Sequence, residues 1–241
     1  MKNKRKKRKN GFLMYLLLGL TLLAAVLVVA VRVHHGNEVK QPEMPGVSTP
    51  APADALSFEL ENGIEITSVG RYAGSFVEDG SDDIVSDVCA ITVRNNAENT
   101  VQYAEISMNI GGESYCFKLS TLPQGKSVQL LELSRQPMPE ISADMTAALT
   151  SYASFDPEPS LCEDVFSIDT QDTAITITNI SGSDITGQIY VYYKSAYGDL
   201  YIGGITYRTG VSGLAAGEST TLYASHYSTA YSKIMFVTYV Q

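Results

Sequence analysis

Histidine, serine and cysteine are the side chains with which this sequence could build a nucleophilic catalytic site. Such a site needs a base within hydrogen-bond reach of an activated hydroxyl or thiol. Beyond residue 55 the chain has one histidine, His226, and the candidate nucleophiles are Ser212, Cys116 and Cys162. Ser212 stands in Gly-Val-Ser-Gly, which lacks the full Gly-x-Ser-x-Gly nucleophile elbow. We therefore expect no catalytic residues.

Acidic side chains are dense at residues 78–83, which read Glu-Asp-Gly-Ser-Asp-Asp. Their carboxylates are hard oxygen ligands of the kind that Ca²⁺ prefers, but the spacing does not fit the twelve-residue EF-hand loop. The sequence predicts a solvated acidic loop. A weak calcium site at Glu78, Asp79, Asp82 and Asp83 is the alternative, and no other cofactor is expected.

Tyrosine is concentrated near the C-terminus, where ten of the 15 tyrosines fall between residues 190 and 239. Strand alternation places Tyr190 and Tyr192 on the same face as Lys194, and we expect Tyr201 and Tyr207 on the partner strand. These residues are either cross-strand packing partners or an amphipathic recognition surface. If the chain has a binding surface, we expect it at these five residues.

Period-two apolar runs, separated by Gly, Asn, Asp and Pro, dominate the chain beyond residue 55 and predict β-strands. Clear examples are 88–93, 104–110 and 115–119, and Gly111-Gly112 predicts a hairpin between the last two. Further strands are expected at 128–130 and 145–151. Because no segment there shows a helical period over ten residues, we expect an all-β fold.

Two motifs occur twice. Ala-Ile-Thr-Val-Arg-Asn at 90–95 returns as Ala-Ile-Thr-Ile-Thr-Asn at 174–179, and Leu-x-x-Gly-x-Ser-x-x-Leu at 122–130 returns at 214–222. The offsets are 84 and 92 residues, so the second copy has a longer hairpin between its motifs. This duplication predicts two tandem antiparallel β-sandwiches, each long enough for seven short strands. We place the first repeat at 57–155 and the second at 160–241.

With these motifs, the chain resembles the tandem immunoglobulin-like modules of Gram-positive membrane-anchored surface proteins, in particular those of the FxLYD type. Ile-Tyr-Val-Tyr-Tyr at 189–193 stands in the strand comparable to the one that carries the Phe-x-Leu-Tyr-Asp string of that family. The resemblance implies an immunoglobulin-like sandwich fold and no catalytic residues.

The N-terminus predicts a membrane anchor. Residues 11–31 are 21 uncharged residues, and a helix of that length spans the roughly 30 Å hydrocarbon core. We expect a basic cytoplasmic tail at 1–10 and a transmembrane helix at 11–33, with the C-terminus extracellular by the positive-inside rule. The alternative is a cleaved signal peptide, whose apolar region is usually shorter.

The remainder of the chain is acidic. Residues 34–241 hold nine basic against 26 acidic residues, a formal charge of about −17, which excludes a nucleic-acid-binding role. Residues 34–56 carry four prolines and predict an extended stalk. The pairing of Cys89, Cys116 and Cys162 is open, and free thiols are favoured over a single disulfide.

The leading functional hypothesis is a non-catalytic, membrane-anchored cell-surface protein. Its partners would be the lipid bilayer, through 11–33, and an extracellular protein, glycan or cell-wall component bound by the two β-sandwiches. The second hypothesis is an accessory or sensor subunit of a membrane complex. The third and weakest is an exported hydrolase.

Overall fold

The fold is known from a computed structural model that describes residues 56–139 and 144–241. The predicted tail at 1–10, the predicted helix at 11–33 and nearly all of the predicted stalk at 34–56 lie outside these residues. Within the described ranges no helix is long and apolar enough to cross a membrane. Those ranges consist of strands, turns and one short 3-10 helix at Glu61–Gly63, so the all-β prediction is confirmed there.

Residues 56–139 and 144–241 contain fourteen strands. Their bounds are β1 Phe58–Glu59, β2 Ile64–Ser75, β3 Ile84–Asn95, β4 Val101–Ile110, β5 Glu113–Leu122, β6 Ser127–Leu131, β7 Met145–Ser154, β8 Phe166–Gln171, β9 Ala174–Asn179, β10 Ile185–Tyr197, β11 Leu200–Ile202, β12 Tyr207–Leu214, β13 Ser219–Tyr223 and β14 Ser232–Tyr239.

The predicted hairpin joins β4 to β5. Ile110 pairs with Glu113, which leaves a two-residue loop of Gly111 and Gly112 with φ angles of 64° and 91°. Two successive positive φ values suit glycine and match the right-handed twist of the flanking strands. This part of the sequence prediction is therefore confirmed.

Strand order is the same in the two repeats. In the first, β2, β3 and β6 are neighbours in one sheet, and β5, β4 and β7 form another. In the second, β8, β9 and β13 form one sheet, and β12, β10 and β14 lie side by side in the other. Among the described residues, six strands of each repeat thus correspond, and β1 and β11 are additions.

Each pair of sheets encloses apolar side chains. One cluster draws Ile66 and Ile91 from β2 and β3, and Ile106 and Phe117 from β4 and β5. A second cluster is built in the same way from β8, β9, β10, β12, β13 and β14. Burial of these side chains against each other is the main stabilising contribution of such layered sheets.

A turn of the same construction occurs at Asn95 and Asn179, the last residues of the first repeated motif. The Asn95 Nδ2 donates to the carbonyls of Asn99, at 3.0 Å, and Leu122, at 2.9 Å. The Asn179 Nδ2 donates to those of Ser183, at 2.7 Å, and Leu214, at 3.0 Å. Both asparagines are fully buried. The two repeated motifs therefore contact each other within each repeat.

The longer second hairpin changes the strands of the second repeat. From Asn95 to Leu122 the chain advances 27 residues, and from Asn179 to Leu214 it advances 35. The eight additional residues extend β10 and break its return strand into β11 and β12, with Gly203–Thr206 between them. β11 pairs in parallel with β6 of the first repeat, so one sheet continues from one repeat into the other.

Candidate functional site: the junction between the repeats

The segment Leu200–Thr206, which we call the junction segment, is packed tightly against the first repeat. The Gly203 N–H donates to the Gln129 carbonyl at 2.8 Å. A Cβ atom on Gly204 would lie 1.9 Å from the Lys118 carbonyl oxygen, and one on Gly203 would lie 2.5 Å from a Val77 methyl carbon. Because a side chain at either position would collide with these atoms, glycine at both positions allows the junction segment to pack this closely against the first repeat.

Glu78 connects the two repeats through its carboxylate. Glu78 Oε1 accepts the Leu131 N–H at 2.8 Å, and Oε2 accepts the Gly204 N–H at 2.7 Å. Removal of the carboxylate from water raises its pKa, and the two N–H donors and the charge of Lys194 act in the opposite direction. The carboxylate thus satisfies one backbone N–H in each repeat.

Lys194, on the extension of β10, is completely buried. Its Nζ donates to the Ser120 carbonyl at 3.1 Å and to the Ile205 carbonyl at 3.0 Å. Burial lowers the pKa of this amine, and the negative charge of Glu78 opposes that effect. Like Glu78, Lys194 contacts backbone of both repeats.

Ser120 and Thr206 complete the polar contacts of the junction. The Ser120 N–H donates to the Gly204 carbonyl, and the Ser120 and Thr206 hydroxyl oxygens are 2.9 Å apart. Buried polar groups are costly unless they are hydrogen-bonded, and here side chains and backbone of both repeats supply partners for one another.

The one histidine beyond residue 55 also lies at the junction. His226 stacks on Tyr207, with ring centroids 4.7 Å apart, and its Nδ1 lies 3.3 Å from an Asp82 carboxylate oxygen. Tyr207 stacks on Tyr193 and donates its hydroxyl to the Val77 carbonyl at 3.4 Å. Burial, with nearby carboxylates, raises the pKa of Tyr207 to about 12. His226 therefore packs between the repeats.

The proposed calcium ligands are divided among different partners. Arg135 lies 2.7 Å from an Asp79 oxygen and 3.1 Å from an Asp83 oxygen, while Asp82 faces His226 and Glu78 holds backbone. Hydrogen bonds from Ser81, followed by the Arg135 interaction, lower the pKa of Asp79 to about 2. Among the described residues, no group of three or more His, Cys, Asp or Glu side chains is arranged to hold a metal ion.

The five tyrosine and lysine residues expected at a binding surface do not share one environment. Lys194 and Tyr201 are buried, and Tyr207 is half-buried at the junction. Tyr190 and Tyr192 are half-buried on the outer face of β10, where Tyr192 stacks on Phe236 at 4.2 Å. The Arg208 guanidinium lies 4.6 Å from the Tyr190 ring centroid. Of the five expected residues, only Tyr190 and Tyr192 lie next to each other on a surface that is partly open to solvent.

The candidate nucleophiles lie in separate places. Ser212 is exposed on β12, and Cys116 is exposed on β5. The Cys162 thiol, which is partly exposed, lies near the carbonyls of Ser160 and Val237. All three cysteines are free thiols, which is the alternative that the sequence analysis favoured over a single disulfide.

Sequence reasoning missed the junction. It assigned Glu78 to a solvated loop and Lys194 to a solvent-facing surface, and it did not single out Ser120. One signal was available, namely the eight additional residues of the second hairpin together with the adjacent Gly203-Gly204. An insertion that contains a bulge-forming glycine pair, in one copy of a duplicated unit, can indicate a contact between the copies.

Comparison of the sequence with protein-family models gives no match, and comparison with curated proteins gives no significant match.

Proposed function

We propose that this chain is a non-catalytic, membrane-anchored surface protein. Residues 11–33 are the anchor, 1–10 remain in the cytoplasm, and the stalk at 34–56 holds two β-sandwich repeats outside the cell. The repeats at 57–155 and 160–241 would present a recognition surface to a protein, glycan or cell-wall partner. The seven basic residues in 1–10, against only Arg32 and Lys40 just after the apolar span, support this orientation.

The main support for the proposal is the way in which Glu78 and Lys194 connect the two repeats at the junction. Lys194 is fully buried and Glu78 is partly buried, and the hydrogen bonds of both side chains hold backbone groups of the two repeats. A junction of this kind fixes the relative orientation of the two repeats. Surfaces on both repeats can then contact one partner without the entropy cost of ordering a flexible linker.

Tyr190 and Tyr192 are the first residues to test for recognition. They lie beside Arg208 on the outer face of β10. Aromatic rings and a guanidinium together suit both protein and glycan partners, because they offer apolar area with polar edges. Lys194 and Tyr201 are left out of this proposed surface because they are buried.

The location can be tested through Cys116. The full chain is expressed in a bacterial host, and intact cells are treated with a maleimide that does not cross membranes. We expect labelling of wild-type protein and reduced labelling of Cys116→Ser, since Cys116 is the most exposed of the three thiols. Labelling only after the cells are permeabilised would contradict an extracellular C-terminal region.

Recognition can be tested by capture with the full chain in detergent. We expect Tyr190→Ala/Tyr192→Ala to lose partners that the wild type retains, while Tyr223→Ala retains them. Tyr223 is a suitable control because it is 79% exposed and lies on the other sheet of the same repeat. Equal capture by all three proteins would reject this surface, and capture that depends only on residues 11–33 would favour an accessory subunit of a membrane complex.

A further inference from the structure

The first repeat protects one edge of its sheet with β1. Phe58 pairs with Ile66 and Glu59 with Glu65, so the short strand lies antiparallel along the start of β2. Phe58 and Leu60 also pack against the first apolar cluster. The edge of β2 and the adjacent side of the core are thus covered by an extended segment with two apolar side chains.

The corresponding edge in the second repeat is the start of β8. Ile64 pairs with Asn95, and Phe166 pairs with Asn179, which fixes the correspondence between β2 and β8. The backbone agrees, because Asn96 donates to the Gly63 carbonyl and Ile180 to the Val165 carbonyl, both at 2.8 Å. Ser167 and Ile168 are therefore the counterparts of the two residues on which β1 lies.

This edge of β8 has no counterpart of β1 in the described chain. The preceding segment runs toward β14 instead, because the Ser160 carbonyl accepts the Val237 N–H at 2.9 Å. It then turns sharply into β8, where the Phe166 N–H donates to the Cys162 carbonyl at 2.8 Å. β8 consequently ends its sheet in the order β13, β9, β8.

A groove lies at this edge. It has a volume of about 320 Å³ and is lined by Leu161, Glu163, Phe166, Ser167, Ile168 and Ile180. Ile180 is 52% exposed, and Ile168 is half-buried although its counterpart Ile66 is fully buried. An unpaired strand edge beside exposed apolar side chains is suited to the addition of another strand.

We propose that this groove, which we call the β8 groove, binds an extended segment of a partner polypeptide. The segment adds antiparallel to β8 and places two apolar side chains, two residues apart, where Phe58 and Leu60 lie in the first repeat. A basic side chain between them suits the Glu163 carboxylate and the acidic chain as a whole. This inference rests on the proposed role in partner recognition and names its partner class.

Charge also distinguishes a partner from a second copy of this chain. The strand β1 of another molecule would bring Phe-Glu-Leu, whose glutamate would enter a groove that is itself lined by a carboxylate, that of Glu163. A partner with Phe-Lys-Leu or a similar apolar–basic–apolar sequence would instead bring a charge that the Glu163 carboxylate attracts. The groove therefore favours a basic partner segment over self-association.

The test uses two synthetic nine-residue peptides that differ only in a central Phe-Lys-Leu or Phe-Glu-Leu, titrated against the full chain in detergent. We expect Phe-Lys-Leu to bind at least about tenfold more tightly than Phe-Glu-Leu. Glu163→Lys should reverse this preference. Ile180→Asp should weaken binding about tenfold or more, and Ile84→Asp should leave it unchanged, since Ile84 is also an exposed isoleucine but lies on β3.

Several results would overturn the proposal. They are the absence of binding by either peptide, unchanged preference in Glu163→Lys, and equal effects of Ile180→Asp and Ile84→Asp. Tighter binding of Phe-Glu-Leu by wild type would assign the groove to β1 of a second copy. None of these results depends on cell-surface location, which the Cys116 labelling tests separately.

Discussion

Asn95 and Asn179 are 84 residues apart in sequence and hold the same hydrogen bonds in two copies of one turn. Each side-chain amide donates to the carbonyl four residues ahead and to the first leucine of the second motif. Each side-chain oxygen accepts the N–H two residues ahead, from Ala97 or Ser181. The two copies of the repeated sequence motif therefore adopt the same local structure.

We expect alanine in place of either asparagine to lower the free energy of unfolding by about 3 kcal/mol, because buried carbonyls lose their donors. The two effects should be similar in size. Urea titration of the full chain in detergent, followed by circular dichroism, measures both. Asn96→Ala is the matched control, since Asn96 is exposed and should cost less than about 0.5 kcal/mol. A small effect at Asn179 alone would show that the two turns differ in energy.

Gly204→Ala should be strongly destabilising, because the added Cβ would meet the Lys118 carbonyl at 1.9 Å. We expect a loss of about 3 kcal/mol, at the upper end of overpacking effects. Gly198→Ala is the control. Its Cβ would meet no atom within 4 Å, and its positive φ of 59° should cost only about 1 kcal/mol. Thermal melts of the two variants compare these costs, and equal melting temperatures would contradict close packing at the junction.

Lys194→Met removes the donor to two carbonyls, those of Ser120 and Ile205. We expect a loss of about 2–3 kcal/mol, because these carbonyls lose a hydrogen-bond partner in a buried position. The double variant Lys194→Met/Glu78→Gln should lose less than the sum of the single variants, since both residues serve one junction. Strict additivity in a double-mutant cycle would show that Lys194 and Glu78 act independently.

The pH dependence of stability should reflect both shifted groups. Above the ordinary glutamate pKa of 4.5, the folded state retains a proton on Glu78 that the unfolded state has lost, so the free energy of unfolding falls as pH rises. Below the ordinary lysine pKa of 10.5, the unfolded state holds a proton that folded Lys194 releases, so stability rises with pH there.

We therefore expect the free energy of unfolding of wild type to decrease between about pH 5 and 7 relative to Glu78→Gln. It should increase between about pH 8 and 10 relative to Lys194→Met. Urea titrations at one-unit pH intervals provide the measurement. Parallel pH profiles for wild type and both variants would show that these groups titrate alike in the folded and unfolded states.

The three thiols should react in a fixed order. Cys116 is exposed, Cys162 is partly exposed, and Cys89 is buried with a pKa raised to about 12 by burial. Because the thiolate is the reactive form, Cys89 should resist a maleimide until the chain unfolds. Mass spectrometry of labelled peptides over time gives the order, and early labelling of Cys89 would contradict its position in the first core.

Much of the local structure was predictable because its causes are short in range. Alternating apolar residues predicted the β3 face of Cys89, Ile91 and Val93, which are all buried. Gly111-Gly112 predicted the hairpin between β4 and β5, because a two-residue turn of this type depends mainly on two residues that can adopt positive φ angles. The other face of β3 was not predictable. Val88 and Ala90 are buried there because Phe76 and Leu131 cover them.

The sequence by itself determined the strands, the hairpin and the two copies of one motif, because periodicity and turn chemistry act within a few residues. Only the tertiary structure decided the environments of Glu78, Lys194 and Tyr201. Glu78 and Gly204 are 126 residues apart and come together through the parallel pairing of β6 and β11. A strand's alternation divides its residues between two faces, but only the contacts formed in the folded chain determine which face meets solvent.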